Sequence, residues 1–271
     1  DSIPITAVGV VAAPLALWIL DVRDWRLYGA VALWSPVLVA WQTANFTLLL
    51  VVGTALLWRF REREWVAGVL IACLVSIKPI MAPLWLGLVL ARRWRAAALG
   101  VAVVIILNAA SWTAVGWHEL NAWLSLLSLQ GSLLDSTGYS LIALATHLGF
   151  AQTVGEALMV VTGCALLAVA AISARAKQEL GVFGAMALLT LAVSPQADVH
   201  YFAILLVPLA ILRPRLSWPW LLPIALWACP ATKSAAWQIV IWWSLVAIIA
   251  SQILMARRPQ ARRGLGVAVA G

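Results

Sequence analysis

Long apolar runs alternate along the chain with short polar breaks, and the breaks are of two kinds. The first kind is cationic: Arg23/Arg26, Arg59/Arg61/Arg63, Arg92/Arg93/Arg95, Arg175/Lys177, Arg213/Arg215 and Arg257/Arg258/Arg262/Arg263. Only Lys78 and Lys233 fall outside these groups. The second kind comprises "WQTAN" (41–45), "IKP" (77–79), the stretch 112–150, "SPQADVHY" (194–201) and "CPATKS" (229–234). The two kinds alternate. Basic residues collect in the cytoplasmic loops of membrane proteins, so each interval between cationic breaks must leave the cytoplasm and return. With Asp1 outside, the pattern predicts about eleven membrane segments, polar breaks on the extracytoplasmic side and a cytoplasmic C-terminus.

The runs lack strict apolar–polar alternation, which predicts helices and not a barrel. The expected fold is therefore all-α, a polytopic transmembrane bundle. Several segments, such as 65–77 and 201–212, are shorter than the roughly 20 residues a full span takes. Short helices whose polar ends line an outer cavity account for them, because irregular backbone at membrane depth is tolerated only around a cavity. The other option, one Pro-kinked span over 65–91, would put Arg59–Arg63 and Arg92–Arg95 on opposite sides.

Composition agrees. The 271 residues are 64% apolar and 10% charged, with a mean hydropathy of +1.00. Soluble domains carry about 25% charged residues, so this chain cannot cover a water-facing surface. Its seventeen tryptophans suit the membrane–water interface. The basic pI of 10.3 follows from the cytoplasmic clusters, and no nucleic-acid partner is expected. Cys73, Cys164 and Cys229 form no CxxC pair, and no His, Asp and Glu set has metal-ligand spacing. Neither a metal nor a cofactor is expected. The first apolar stretch follows Asp1 without a basic n-region and does not read as a signal peptide.

Charged residues at the outer ends of membrane hairpins are costly and usually functional. Lys78 and the group Asp198, His200 and Tyr201 hold such positions. Four stretches carry a resemblance: "SPVLVAWQTANFTLLLVV" (35–52), "WVAGVLIACLVSIKPIMAPLWLGLVLARRWRAAALG" (65–100), "GYSLIALATHLG" (138–149) and "SPQADVHYFAILLVPLAILRPRLSWPWLLP" (194–223). Taken in order, they resemble glycosyltransferase family 87, the polyprenyl-phosphate-dependent, mannosyltransferase-like membrane proteins of bacteria.

The resemblance implies a GT-C-like fold in the bacterial plasma membrane. It implies an active site on the extracytoplasmic face and hexosyl transfer, of mannose in particular, from a polyprenyl-phosphate donor to a lipid or glycan acceptor. It also implies a catalytic aspartate in a first outer loop that would precede Asp1. On that basis residues 1–256 are a transmembrane domain lacking the family's first helix and most of its first outer loop. Residues 113–150 are an extracytoplasmic lid, and residues 257–271 are a cytoplasmic basic tail. Where members usually carry Trp in SP-x-x-W-x-H-Y, this chain has Asp198.

Such a transfer needs a carboxylate to take the acceptor proton, cations to stabilise the leaving phosphate, and a groove for the isoprenoid chain. Lys78 and His200 are the expected phosphate ligands, and Asp198 and His200 the expected proton-handling groups. The competing reading of Lys78 is a lysine that snorkels to the surface. Asp198 and His200 would diverge on a helix but converge in an extended break. Tyr201 is a sugar contact or an interfacial anchor. Gln42 and Asn45, three apart, share a helix face and suit sugar hydroxyls, although Asn45 suits a helix cap equally well. Trp117, Leu120, Trp123 and Leu124 recur at helical spacing, which predicts an amphipathic helix on the membrane. Asp135 is an acceptor contact or an N-cap. A transporter or lipid flippase and a non-catalytic membrane subunit are the alternative functions.

Overall fold

The computed structural model describes residues 3–134, 138–224 and 236–255. Among them all regular structure is helical. The order is α1 (Ile3–Ile19), α2 (Trp25–Ala32), α3 (Ser35–Gln42), α4 (Thr47–Arg59), α5 (Glu64–Ile77), a 3-10 turn (Pro79–Met81) and α6 (Ala82–Leu90). Then come α7 (Trp94–Val115), α8 (Glu119–Leu134), α9 (Leu141–His147), α10 (Gln152–Arg175) and α11 (Glu179–Ala192). A 3-10 helix (Val199–Leu205), α12 (Leu206–Leu212), α13 (Trp218–Leu221) and α14 (Ala236–Met255) complete the set.

Three helices, α7, α10 and α14, are long and apolar enough to cross a membrane. Others, including α4, α5, α11 and the Val199–Leu212 stretch, are apolar but shorter. At 1.5 Å per residue α5 reaches about 21 Å, against a hydrocarbon core of about 30 Å.

The short helices pair as hairpins. Lys78 is extended (φ −143°, ψ 112°), and Pro79 opens the next turn, so α5 stops at Ile77. Arg61, just before α5, and Arg93, just after α6, both grip the carboxylate of Glu179 at the start of α11. The start of α5 and the end of α6 therefore lie at one end of the bundle, and a single kinked span is ruled out. The turns at Arg59–Arg63, Arg92–Arg93 and Lys177–Glu179 share that end. Asp24 joins the α1–α2 turn to the 213–217 segment by accepting the Leu216 N–H at 2.9 Å. Trp25, Trp65, Trp94 and Trp218 each stand exposed beside one of these turns. A ring of exposed indoles next to arginines is the composition of a membrane–water boundary.

Close packing requires small residues at two crossings. A Cβ on Gly68 of α5 would meet the Ala96 carbonyl oxygen of α7 at 2.8 Å. One on Gly155 of α10 would meet the Ile142 Cα of α9 at 2.5 Å. Backbones come this near only where no side chain intervenes, the usual device of membrane helix pairs.

Two expectations need correction. Gln42 and Asn45 do not share a helix face: α3 ends at Gln42, Ala44 turns left-handed (φ 48°), and α4 begins at Thr47. Trp117 lies in the turn before α8 and not on it. Asp135 lies outside the described residues.

Candidate functional site

At the end opposite the cationic turns, three breaks meet around Lys78. The Lys78 ammonium donates to Asn45 Oδ1 at 3.1 Å and to Thr47 Oγ1 at 3.2 Å. It also sits 4.2 Å from the centroid of the Tyr201 ring. Asn45 Oδ1 accepts from the Thr47 backbone N–H (3.0 Å) and hydroxyl (2.7 Å) as well. The side chain thus closes the start of α4 and holds the lysine with one oxygen. All of these partners are neutral. Among the described residues no carboxylate lies within ion-pair distance of Lys78. A half-buried cation with only neutral partners favours an incoming anion.

Asp198 and His200 come together because the chain is extended at Asp198 (φ −100°, ψ 161°) before the 3-10 helix begins. Asp198 accepts the Val199 N–H at 2.6 Å and leaves its other oxygen 3.4 Å from His200 Nδ1. That contact is close enough for ion pairing but is not aligned as a hydrogen bond, and neither ring nitrogen of the buried imidazole has a hydrogen-bond partner among the described residues. The His200 ring meets the Tyr201 ring edge-on, with centroids 4.5 Å apart. Tyr201 therefore touches both Lys78 and His200.

Beside this cluster lies a cavity of about 940 Å³. Lys78, Ser194, Gln196 and Tyr201 line its polar part, and Trp85, Leu86, Trp123, Leu167 and Leu189 its apolar part. Asn45, Asp198 and His200 are not on its wall. Asn45 acts through Lys78, while Asp198, half-exposed, lies between the wall residues Gln196 and Tyr201 in sequence. Gln42 is exposed and away from the wall.

The segment 196–201 is clamped from behind. The Tyr139 N–H donates to the Ala197 carbonyl at 2.6 Å, and its hydroxyl bonds Gln238 Oε1 at 3.0 Å. Trp243 Nε1–H donates to the Tyr139 carbonyl at 3.1 Å. Sequence reading missed this clamp and missed Thr47. The signal for Thr47 was its place two residues after Asn45, the spacing of an Asx turn. Gln238 in an apolar helix offered a similar hint, since a buried amide must find a partner.

These features define a membrane-helix protein with a cationic, amphiphile-shaped pocket at one end of its bundle. A family model described as glycosyltransferase family 87 matches residues 2–195. The chain belongs to that family and is, at this level, a membrane glycosyltransferase. The match runs from α1 to Pro195 and stops before Asp198, His200 and Tyr201. No curated protein and no solved structure matches the chain.

Proposed function

We propose that this chain has a GT-C-type fold of about eleven membrane segments in a bacterial plasma membrane. It transfers a hexose, mannose in the first instance, from a polyprenyl-phosphate donor to a lipid or glycan acceptor on the extracytoplasmic face. The observation that carries this reading is the cavity with Lys78 at its polar part and an apolar wall beyond. A sugar phosphate joined to an isoprenoid has the same division of polarity.

In the proposed reaction an acceptor hydroxyl oxygen attacks the anomeric carbon. The bond from that carbon to the phosphate oxygen breaks, and the electron pair leaves with polyprenyl phosphate. Lys78 stabilises the charge that develops on the phosphate. Asp198, half-exposed beside the cavity wall, takes the acceptor proton, and His200 receives or holds that proton within the Asp198–His200 pair. Tyr201, on the wall, contacts the sugar or phosphate, and Asn45 sets the position of Lys78. Gln42 and Asp135 are left as acceptor-side contacts. Residues 113–150 act as the lid, with Trp123 reaching the cavity.

A photoreactive polyprenyl-phosphate mannose bound to the purified chain in nanodiscs tests this reading. Labelling should fall when unlabelled donor is added, persist with a nucleotide sugar, and map to the wall around Trp85 and Leu167. Competition by the nucleotide sugar, or labelling that maps elsewhere, would refute the donor assignment.

A further inference from the structure

The charge left unused by the proposed transfer is concentrated at the opposite end of the bundle. A second cavity, of about 320 Å³, opens between the end of α6, the end of α10 and the start of α11. Its size is at the lower end of the range for small-ligand pockets. Arg92, Arg175 and Lys177 line it above a floor of Leu90, Ala91 and Val182.

Several arginines at this end already have carboxylate partners. Arg23 and Arg26 reach Asp21 and Asp24, and Arg61 and Arg93 reach Glu179. Glu179 is the one acid on the cavity wall, and both its oxygens are held: one by Arg61 Nε at 2.7 Å, the other by Arg93. Its single negative charge is thus already shared by two guanidiniums. None of those three has an ion-pair partner among the described residues.

The backbone adds an independent point. Arg92 (φ 59°) and Lys177 (φ 55°) both occupy the left-handed conformation that ends α6 and α10. Glycine fits such a turn without penalty, whereas an L-residue costs about 1 kcal/mol or more. Asp21 and Ala44 adopt the same conformation elsewhere, and at these two helix ends the residue that does so is a long cation lining the cavity. Exposed Trp94, two residues after Arg92, puts the cavity at the level of the interfacial indoles.

The geometry points to a second, non-catalytic phosphate site in this cavity, distinct from the Lys78 pocket. Its ligand is a phosphate group, carried on an anionic phospholipid headgroup or free in solution. Guanidinium groups pair with phosphate oxygens in a bidentate fork, and the ammonium adds a point charge. The bound anion relieves the mutual repulsion of the three cations and holds the ends of α6, α10 and α11 together.

The test uses the full chain in detergent, with phosphatidylglycerol, phosphatidylcholine and inorganic phosphate as separate probes, read by native mass spectrometry and calorimetry. Arg92→Gln/Arg175→Gln/Lys177→Gln should weaken binding of the preferred probe by at least about tenfold, the loss of one charge-assisted contact. Arg59→Gln/Arg95→Gln/Arg215→Gln removes the same charge away from the cavity and should change it less than about twofold. Phosphatidylglycerol binding without phosphate binding names the headgroup as the source, and the reverse names a soluble phosphate. Equal losses in both triple variants, or no discrimination of either anionic probe from phosphatidylcholine, would overturn the site. Arg92→Gly/Lys177→Gly guards against misfolding. It relaxes both left-handed turns, so it should unfold at the wild-type temperature or higher and yet lose the anion. A variant that keeps the anion refutes the proposal.

Discussion

The two ends of the bundle treat positive charge in opposite ways. At one end Arg61 and Arg93 close on Glu179, and Asp24 holds Arg26 at 2.9 Å, so cations and carboxylates tie neighbouring turns together. At the other end a single lysine rests on a carbonyl oxygen, a hydroxyl and an aromatic face. The first arrangement gains stability from charges already matched. The second keeps a charge unmatched in a partly apolar site, and that is the arrangement suited to binding. Counting arginines would point to the wrong end for the transfer site, whereas a partly buried cation held only by neutral groups, beside a large and mostly apolar cavity, points to Lys78.

The contrast is open to direct attack by mutation. Replacing Lys78 by Ala should reduce capture of a polyprenyl-phosphate donor by up to about 10²-fold, since a hydrogen bond to a charged phosphate contributes roughly 1.5–3 kcal/mol. The melting temperature should stay the same or rise. Donor capture within about twofold of wild type would assign Lys78 to snorkelling instead.

Glu179→Gln should do the reverse. It loses the charge that two guanidiniums share, at a cost of about 1–2 kcal/mol after allowance for its partial exposure. Thermal unfolding in detergent would register the loss, with donor capture unchanged. Should Glu179→Gln abolish capture while leaving the melting point alone, the division of labour between the ends fails.

Asn45→Ala should have an intermediate effect, about tenfold on capture, because Lys78 loses one acceptor and α4 loses the bond to the Thr47 N–H. A conservative Asn45→Asp would give Lys78 a counter-ion. If the unmatched charge matters, Asp at this position should impair capture at least as much as Ala does.

The smallest effect concerns acidity at the cationic end. The Arg26 guanidinium, and after it the Leu216 N–H, hold the Asp24 carboxyl below its ordinary range. A depressed folded-state value means stability that is full above the unfolded-state range, about 4, and lost as the pH falls below it. The melting temperature should therefore decline below pH about 4, and decline less steeply in Asp24→Asn. Parallel curves for the two proteins would remove Asp24 as a structural tie.

Much of this contrast was legible in the chain. Clusters of arginine separated by polar breaks gave the hairpins, and Lys78-Pro79 gave the helix end, because proline ends a helix by local geometry alone. The approach of Asp198 to His200 was legible as a condition on an extended backbone, which the structure meets. What local pattern could not reveal was every arrangement made across helices. Glu179 is an ordinary first-turn acid until Arg61 and Arg93 arrive from two other turns. Tyr201 read as a sugar contact or an anchor, and its contact with both Lys78 and His200 stayed hidden, because it depends on a 3-10 turn that rotates neighbouring side chains by less than a strand would. Gln42 and Asn45 were placed on one helix because spacing alone cannot see Ala44 entering the left-handed region.

The most direct test of the central claim is a cryo-electron-microscopy map of the protein with a non-transferable polyprenyl-phosphate mannose analogue bound. The account predicts phosphate density about 3 Å from Lys78 Nζ and isoprenoid density along Trp85 and Leu167. Donor phosphate density among Arg92, Arg175 and Lys177, with the Lys78 cavity empty, would contradict it.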